Sequence, residues 1–541
     1  MYRRLLTAAL VSSAIIMPHV LIAQTLPPSP PVITVPPAAK GPADPLSTTP
    51  EDLKAFGSLY LRCDGRPNNV TDGESFARFL GAVTLLSLFA PSPEMPDSSE
   101  RLFGEKGVAV CNELLDNPKQ ETNGLRRIPL ILGRAIHQIE AKNYDTAIAD
   151  VAKARQEATA IGLVGNPYFD RSMGLSFNII EAHALLRSGH PAEAQHKALE
   201  NALRLPFSFY AGLASPTFPE FNRELTSDEE AFYRANGRIS RLQGIRFANR
   251  LEEAGRFAEA AKWRDSITTV LNAMDTASKD TWTYSVAAIS YALAGNWQLA
   301  DQRAAEAQAN MDARIAAGKP ETTQAADIER LDLYQVLKQA HEGHLTEARR
   351  SFAARSKWIA PSFGAIVATN ALLRQGARPD ELFGSLAKTP DALWAERRTA
   401  ALSVMLENDK NNRTLWTFLL PYAKISDYEA ASKTVWRVQK SWILAKEPMK
   451  DSRFYLETIN SGPLTQPEAL LLHGALQAKA KGFAGLVILT LPERPSVAYV
   501  EFGNPGDADM TADGYLDADT VIAALRPVFP SPEDLAARRK S

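Results

Sequence analysis

The sequence predicts an all-α helical-repeat solenoid carrying a small C-terminal α/β module of helix-strand-strand-helix order. Three observations carry this prediction. Five stretches between about 128 and 354 read alike around a turn, and in the first four a small residue stands seven before the turn residue and another five after it. Apolar residues recur at three- and four-residue steps through much of the remaining chain, which draws one face of a helix. Beyond Gly462-Pro463 the pattern changes to two β-branched and aromatic runs. The 541 residues, 45% of them hydrophobic, are chain enough for several domains and a substantial core. With 60 Lys+Arg against 62 Asp+Glu the charge is balanced, which argues against a dedicated nucleic-acid binder.

At the N-terminus Arg3 and Arg4 precede an apolar run over 5–17, then the helix-breaking Pro18 and the small Ala23. Residues 1–23 therefore read as a secretory signal peptide cleaved after Ala23. The alternative, a membrane anchor, needs roughly 20 apolar residues, and this run is shorter. No cysteine stands at the exit to accept a lipid. Nine prolines fall between Pro27 and Pro50 with no aromatic residue among them, so 24–48 reads as a disordered, polyproline-like tether. The expected location is periplasmic or secreted, with no membrane insertion beyond the signal peptide.

An N-terminal helical domain is expected over 49–125. Thr49-Pro50-Glu51-Asp52 supplies a capping hydroxyl, a first-turn proline and two acids, opening a helix to about Arg62. Phe76, Phe79, Leu80, Val83 and Leu86 line one face of a second helix, and a third over 107–115 bears Cys111. Cys63 and Cys111 are the only cysteines. In an oxidising compartment a disulfide is the leading reading, with two buried thiols as the alternative. Closing a loop of 47 intervening residues would destabilise the unfolded chain by about 4 kcal/mol in the chain-entropy account.

The repeats occupy 126–360. Aligned on the turn, they hold Ala135, Lys142, Tyr144 and Ala147; Ala182, Gly189 and Ala194; Ala248, Gly255, Phe257 and Ala260; Ala288, Gly295, Trp297 and Ala300; and Val336, Gly343, Leu345 and Ala348. Two antiparallel helices approach closely only where small side chains face each other, which explains alanine on both sides of the turn. The turn residue ends a helix in the left-handed region, a conformation glycine takes without penalty. The large residue two positions later is expected to fill the groove toward a neighbour, burying a face that a single pair cannot bury.

These residues resemble the tetratricopeptide repeat family, in which helix A ends at the Gly and helix B begins with the aromatic and the Ala. The clearest unit carries Tyr284, Ala288, Tyr291, Gly295, Trp297, Ala300 and Ala307. The resemblance covers roughly 225 of the 541 residues. It has departures: the second-helix alanines are 47, 66, 40 and 48 residues apart, against a family period of about 34. Lys142 replaces the glycine, Pro191 the aromatic and Val336 the first small residue. Extra helices are therefore expected around 205–240, and a generic alanine-rich bundle is the alternative. The resemblance implies a partner-binding inner face built from helix A, where His183, Arg187, Asn249 and Glu252 are the matching polar positions.

Further helices are expected over 361–462, among them one over 427–444 with Tyr428, Ala431, Val435, Trp436, Val438 and Trp442 on its apolar positions. The module over 463–541 should open with a helix at 467–481 ended by Gly482. Strands at 483–491 and 497–502 and a helix at 517–525 follow. Two strands alone are too few for stability, so they should dock on helices.

Catalytic patterns are not found: no nucleophile elbow, phosphate-binding loop, dinucleotide turn or zinc-protease helix occurs. His341 and His344 are three apart, with Gly343 where the turn needs it, and read as turn residues rather than zinc ligands. Asp509, Thr511, Asp513, Gly514 and Asp517 space like part of a calcium loop, yet Thr520 stands where a bidentate Glu belongs. The preferred reading is an acidic turn with Asp517 capping the last helix. The sequence thus points to a non-catalytic exported protein, without cofactor, metal or nucleic acid, that binds a protein or peptide partner in the cell envelope. An enzyme with a site between solenoid and C-terminal module, or a structural spacer, are the alternatives.

Overall fold

A computed structural model describes residues 59–66, 101–116, 120–208, 211–212, 224–273, 281–407, 415–423, 425–437, 442–443, 455–458, 466–491, 494–507, 510 and 513–538. The expected signal peptide, the tether, the helix start at Thr49 and the helix around Phe76 to Leu86 lie outside the described residues, as do Asp509 and Thr511. The chain is mostly helical with one small antiparallel sheet. No described helix is long and apolar enough to cross a membrane.

Helices α1 (Leu59–Asp64) and α2 (Gly104–Leu115) are joined by a disulfide between Cys63 and Cys111, both fully buried. They pack on α3 (Gly124–Glu140), so the crosslink pins the N-terminal elements to the first long helix. Asp64 and Arg126, both buried, pair side by side across this contact (Nη2 to Oδ1 3.0 Å).

Five helical hairpins follow in the positions the spacing predicts. They are α3 with α4 (Tyr144–Ala160), α5 (Leu175–Arg187) with α6 (Pro191–Arg204), and, after the extra helix α7 (Ser227–Gly237), α8 (Arg241–Glu253) with α9 (Phe257–Ala273). Then come α10 (Thr281–Leu293) with α11 (Trp297–Ala316), and α12 (Gln324–His341) with α13 (Leu345–Ala354). The five turns share one hydrogen-bond pattern. In each, the turn residue donates three residues back and the next residue five back, as in Asn296 N to Tyr291 O (2.9 Å) and Asn143 N to Gln138 O (2.8 Å). This closure satisfies the last carbonyls of the first helix and needs a left-handed residue at its centre. Gly189, Gly255, Gly295 and Gly343 have φ of 91°, 77°, 78° and 88°, and Lys142 takes the same region at 65°.

The paired small residues are interior. Ala135, Ala147, Ala182, Ala194, Ala248, Ala260, Ala288, Ala300 and Ala348 are all fully buried, and Val336 nearly so. Neighbouring pairs touch: α4 lies on α5, α9 on α10, and α10 on α12, while α7 bridges α6 and α8 across the longest interval. The large residue after the turn behaves unevenly. Tyr144 packs against the first core, and Trp297 stacks on His341 at 4.1 Å, but Leu345 is left 38% exposed.

The helix expected over 427–444 is corrected: the helical stretch is α16 (Ile425–Val435), after α14 (Phe363–Arg374) and α15 (Pro390–Glu407). Trp436 leaves that helix to donate its indole N–H to the Phe529 carbonyl (2.9 Å), and Trp442 lies in a strand. Aromatic and β-branched residues suit a pleated surface as well as a helix face, so their three- and four-residue spacing was coincidental.

Two strands were expected over 463–541; among the described residues the sheet has five, three of them there and two within 361–462, where further helices were expected. They are β1 (Trp442–Ile443), β2 (Tyr455–Thr458), β3 (Gly485–Leu491), β4 (Arg494–Gly503) and β5 (Leu516–Asp517), in the order β1-β2-β4-β3-β5 with every neighbour antiparallel. The β3–β4 hairpin is the pair the sequence shows, and each of its edges has unpaired backbone groups that recruit another strand. Leu486 opposite Phe502 and Ile488 opposite Val500 present the apolar face. Helices α17 (Gln466–Ala480) and α18 (Ala518–Leu525) cover it with Leu470, Leu472, Ala475, Val521 and Leu525. A last helix, α19 (Pro532–Arg538), ends the described chain.

Candidate functional site

The four polar positions expected on the inner face do not form one open patch. His183 on α5 is 5% exposed, and its ring stacks on Phe418 at 5.1 Å. Burial, reinforced by the Arg187 guanidinium, holds its pKa well below the usual 6.5, so the ring is neutral. Arg187 Nη1 lies 3.0 Å from His183 Nδ1, which fixes that nitrogen as the acceptor. Burial also lowers the Arg187 pKa, to about 10.

On α8, Asn249 accepts from Arg264 Nη2 (2.9 Å). Glu252, 2% exposed, accepts from Arg264 Nε (2.8 Å) and from the hydroxyls of Ser290 and Ser362. Its carboxylate joins α8, α9, α10 and the start of α14 rather than facing solvent. This corrects the expectation drawn from the resemblance for His183 and Glu252. Polar residues at those positions are consumed by the chain itself.

What covers them is the C-terminal half. Residues 415–423 cross α3 and α5: Trp416 donates to Glu140 (2.9 Å) and meets His137 edge-on at 4.7 Å. Leu420 N donates to Ser176 Oγ (3.0 Å) and Ala423 N to Ser172 Oγ (3.1 Å). Farther along, α14 lies on α8 and α10. It comes so close that a Cβ on Gly364 would sit 2.5 Å from the Glu252 carbonyl carbon.

Two of the openings among the described residues are large enough to admit a ligand. One is a groove between α11 and α12 of about 560 Å³, lined by Ala304, Met311 and Leu331, with the exposed Ile328, Gln308 and Gln335 beside them. Asp301 on its rim is bonded to Lys338 (2.7 Å) and Tyr334, which lowers the Asp301 pKa.

The other is a cleft of about 560 Å³ at the junction of the helical hairpins and the sheet module. Its helical wall carries Ala202, Phe207, Ala235 and Arg238, and its module wall Met510, Tyr515, Leu516 and Asp517. Asp513 ties the walls together. Its carboxylate accepts from Arg234 Nη1 (3.0 Å) and its carbonyl from Arg238 Nε (3.2 Å). Phe207 holds φ of 63°, a left-handed conformation that is strained for a large side chain.

The Tyr515 hydroxyl is buried and has no hydrogen-bond partner among the described residues. Its pKa is raised, first by burial and then by Asp517, Asp507 and Asp519, so the group remains a proton donor at neutral pH. Asp517, by contrast, is engaged as expected. It caps α18 by accepting from Thr520 N (2.8 Å) and Thr520 Oγ1 (2.7 Å), bonds that lower its pKa. Chemically the cleft is a mainly apolar slot that also carries Asn236, Arg238, Asp517 and Thr520, with the Tyr515 hydroxyl sealed beneath its surface. Sequence reasoning reached the acidic turn and missed Phe207, Arg238 and Tyr515, because residues about 280 positions apart carry no common spacing.

Among the described residues no group of three or more His, Cys, Asp or Glu side chains is placed to hold a metal. No family model, curated protein or solved structure matches the chain.

Proposed function

We propose that the protein is a non-catalytic, exported helical-repeat protein whose solenoid binds a protein or peptide partner in the cell envelope. The observation that carries this reading is the fivefold recurrence of one turn geometry, with buried alanines on both sides of it in four units and after it in the fifth. Units that can bury their faces only by stacking produce long, continuous surfaces, and such surfaces serve as docking platforms. The disulfide is in keeping with an oxidising compartment, where such bonds persist.

With the helix-A faces of α5 and α8 covered by the chain itself, the partner surface is assigned to the α11–α12 groove rather than to His183, Arg187, Asn249 and Glu252. Its floor is apolar and its flanking glutamines are exposed, the composition of a wet-rimmed contact. A photo-crosslinking residue at Gln308 or Gln335, tested in cells, should trap one partner that the same residue at the exposed Glu193 does not. Trapping at neither groove position, or equal trapping at all three, sinks the assignment.

A further inference from the structure

We infer that α15 is a displaceable cover, and that the face it occupies between α5, α8 and α14 docks a helix of a separate protein. That helix carries an aromatic residue, an arginine or lysine three positions on and an aliphatic residue five beyond that. α15 differs from the helices it rests on. Over residues 390–403 none of its side chains is buried, whereas α14 before it buries Val367 and Leu373 and α5 buries Phe177, Ile180 and Leu186. A helix without a buried stripe is held by few apolar contacts and belongs to the parts of a fold that open locally.

Three contacts place α15 across the solenoid. Trp394 meets Phe363 edge-on at 4.8 Å, beside the point where Gly364 seats α14 against α8. Arg397 reaches the Glu253 carboxylate at the end of α8 (2.5 Å), with its guanidinium 4.4 Å from the Phe363 ring centre. Leu402 packs on the buried cluster of Ala182, Leu186, Ala194 and Ala198 in α5 and α6. The three side chains share one side of the helix, about 12 Å from first to last along its axis. What α15 lays on this face is thus a short, spaced set of anchors, which another helix with the same spacing reproduces.

Charge selects the occupant. Glu253 is 5% exposed and lies, with the buried Glu229, against Arg250 (2.5 and 3.5 Å). Arg397 adds a second cation to Glu253 from the solvent side, and its own side chain is half-exposed. When α15 leaves, Arg250 stays on Glu253, so the buried carboxylate is not stripped of its cation and opening is permitted. A helix that takes the place of α15 regains the outer ion pair only by bringing a cation to the same level, and an acidic residue there is repelled. The Phe363 ring strengthens the preference, since a guanidinium over its face is attracted to it. Docking here involves neither Gln308 nor Gln335, so it stands or falls separately from docking at the α11–α12 groove.

The probe is a fluorescent synthetic peptide of residues 390–407, the span of α15, titrated into the full chain and read by anisotropy. In the unaltered chain α15 competes from the same molecule at an effective concentration on the order of millimolar, so the peptide should bind weakly. A full-length chain with Trp394→Ala, Arg397→Ala and Leu402→Ala should fold and bind the peptide more tightly by about tenfold or more. The peptide carrying Arg397→Glu should lose that gain. Hydrogen exchange on the unaltered chain needs no substitution: amides over 393–403 should exchange about tenfold faster than those of α14, through local opening. α15 is a fixed part of the fold, and no cover, if its amides are as protected as those of α14 or if the triple variant fails to fold. The docking face is likewise refuted if the folded triple variant binds the peptide no better than the unaltered chain, if it binds the Arg397→Glu peptide equally well, or if it dimerises instead, which would make the occupant a second copy.

Discussion

Lys142 takes φ of 65° in a turn whose four counterparts are glycines. The backbone requirement of that turn was legible in the sequence because it is local: five residues decide it, and four of the five repeats use the residue best suited to it. A non-glycine residue in the left-handed region costs about 1–2 kcal/mol, and glycine loses about 0.4–1 kcal/mol through the freer unfolded chain. Lys142→Gly should therefore raise stability by about 0.5–1 kcal/mol in urea unfolding; a lowered midpoint would contradict this account. Side-chain roles were far less legible. His183 and Glu252 lie at helical positions that the register alone cannot distinguish from solvent-facing ones, and what buries them arrives from residues 362 and 418. The burial of His183 has a pH consequence. Its folded pKa lies below the unfolded value near 6.5, so below that pH the unfolded chain takes a proton that the native chain refuses. Stability should fall as pH drops from about 6.5, by about 1.4 kcal/mol per unit from this group until its folded pKa is passed. A His183→Gln variant, which keeps an acceptor for Arg187, should show a shallower loss between pH 6.5 and 5. An identical slope would show that His183 is not responsible.

Among the described elements, most helices were read with small boundary errors, the one expected over 427–444 was cut short, and the sheet was read only in part. α17 was expected at 467–481 and runs Gln466–Ala480; the hairpin of β3 and β4 was also anticipated. Both have strong local signals: a glycine stop at Gly482, with φ of 84°, and two apolar runs separated by prolines. β1 and β2 had no such signal. They are short, and what makes them strands is pairing: Tyr455 of β2 with Val500 of β4, and Trp442 of β1 with Thr458 of β2. The approach of α14 to α8 was equally invisible, since a glycine inside a helix indicates close contact without naming the partner. That contact is testable. A methyl group at position 364 would lie 2.5 Å from both the Glu252 carbonyl carbon and the Glu253 nitrogen, and backbone cannot yield as a side-chain tip can. Gly364→Ala, although favourable for an isolated helix, should destabilise the protein by about 2–3 kcal/mol by forcing the two helices apart. An unchanged or raised unfolding midpoint would mean that α14 does not rest on α8.

At the scale of the whole molecule, the hairpin region and the sheet module share an apolar cluster and a few buried and half-buried ionic contacts. Arg171 is central to them. It is 5% exposed, lies 3.7 Å from the buried Glu468 of α17, and donates to the Ala524 carbonyl of α18 (3.2 Å) and the Pro206 carbonyl (3.3 Å). One guanidinium thus touches two helices of the module and the chain just after α6, beside the junction cleft. Arg171→Met keeps much of the apolar stem but removes one partner of a buried ion pair, a change that typically destabilises by about 3 kcal/mol. If the lost ion pair rather than lost packing causes the loss, Arg171→Met with Glu468→Gln should recover much of it. The half-exposed bond of Arg234 to Asp513 should matter less, being screened by salt. The measurement is urea unfolding of the two single variants at Arg171 and Arg234 and of the double variant. If the double variant is no more stable than Arg171→Met, the Arg171–Glu468 ion pair does not couple the two regions, and their union rests on apolar contact alone.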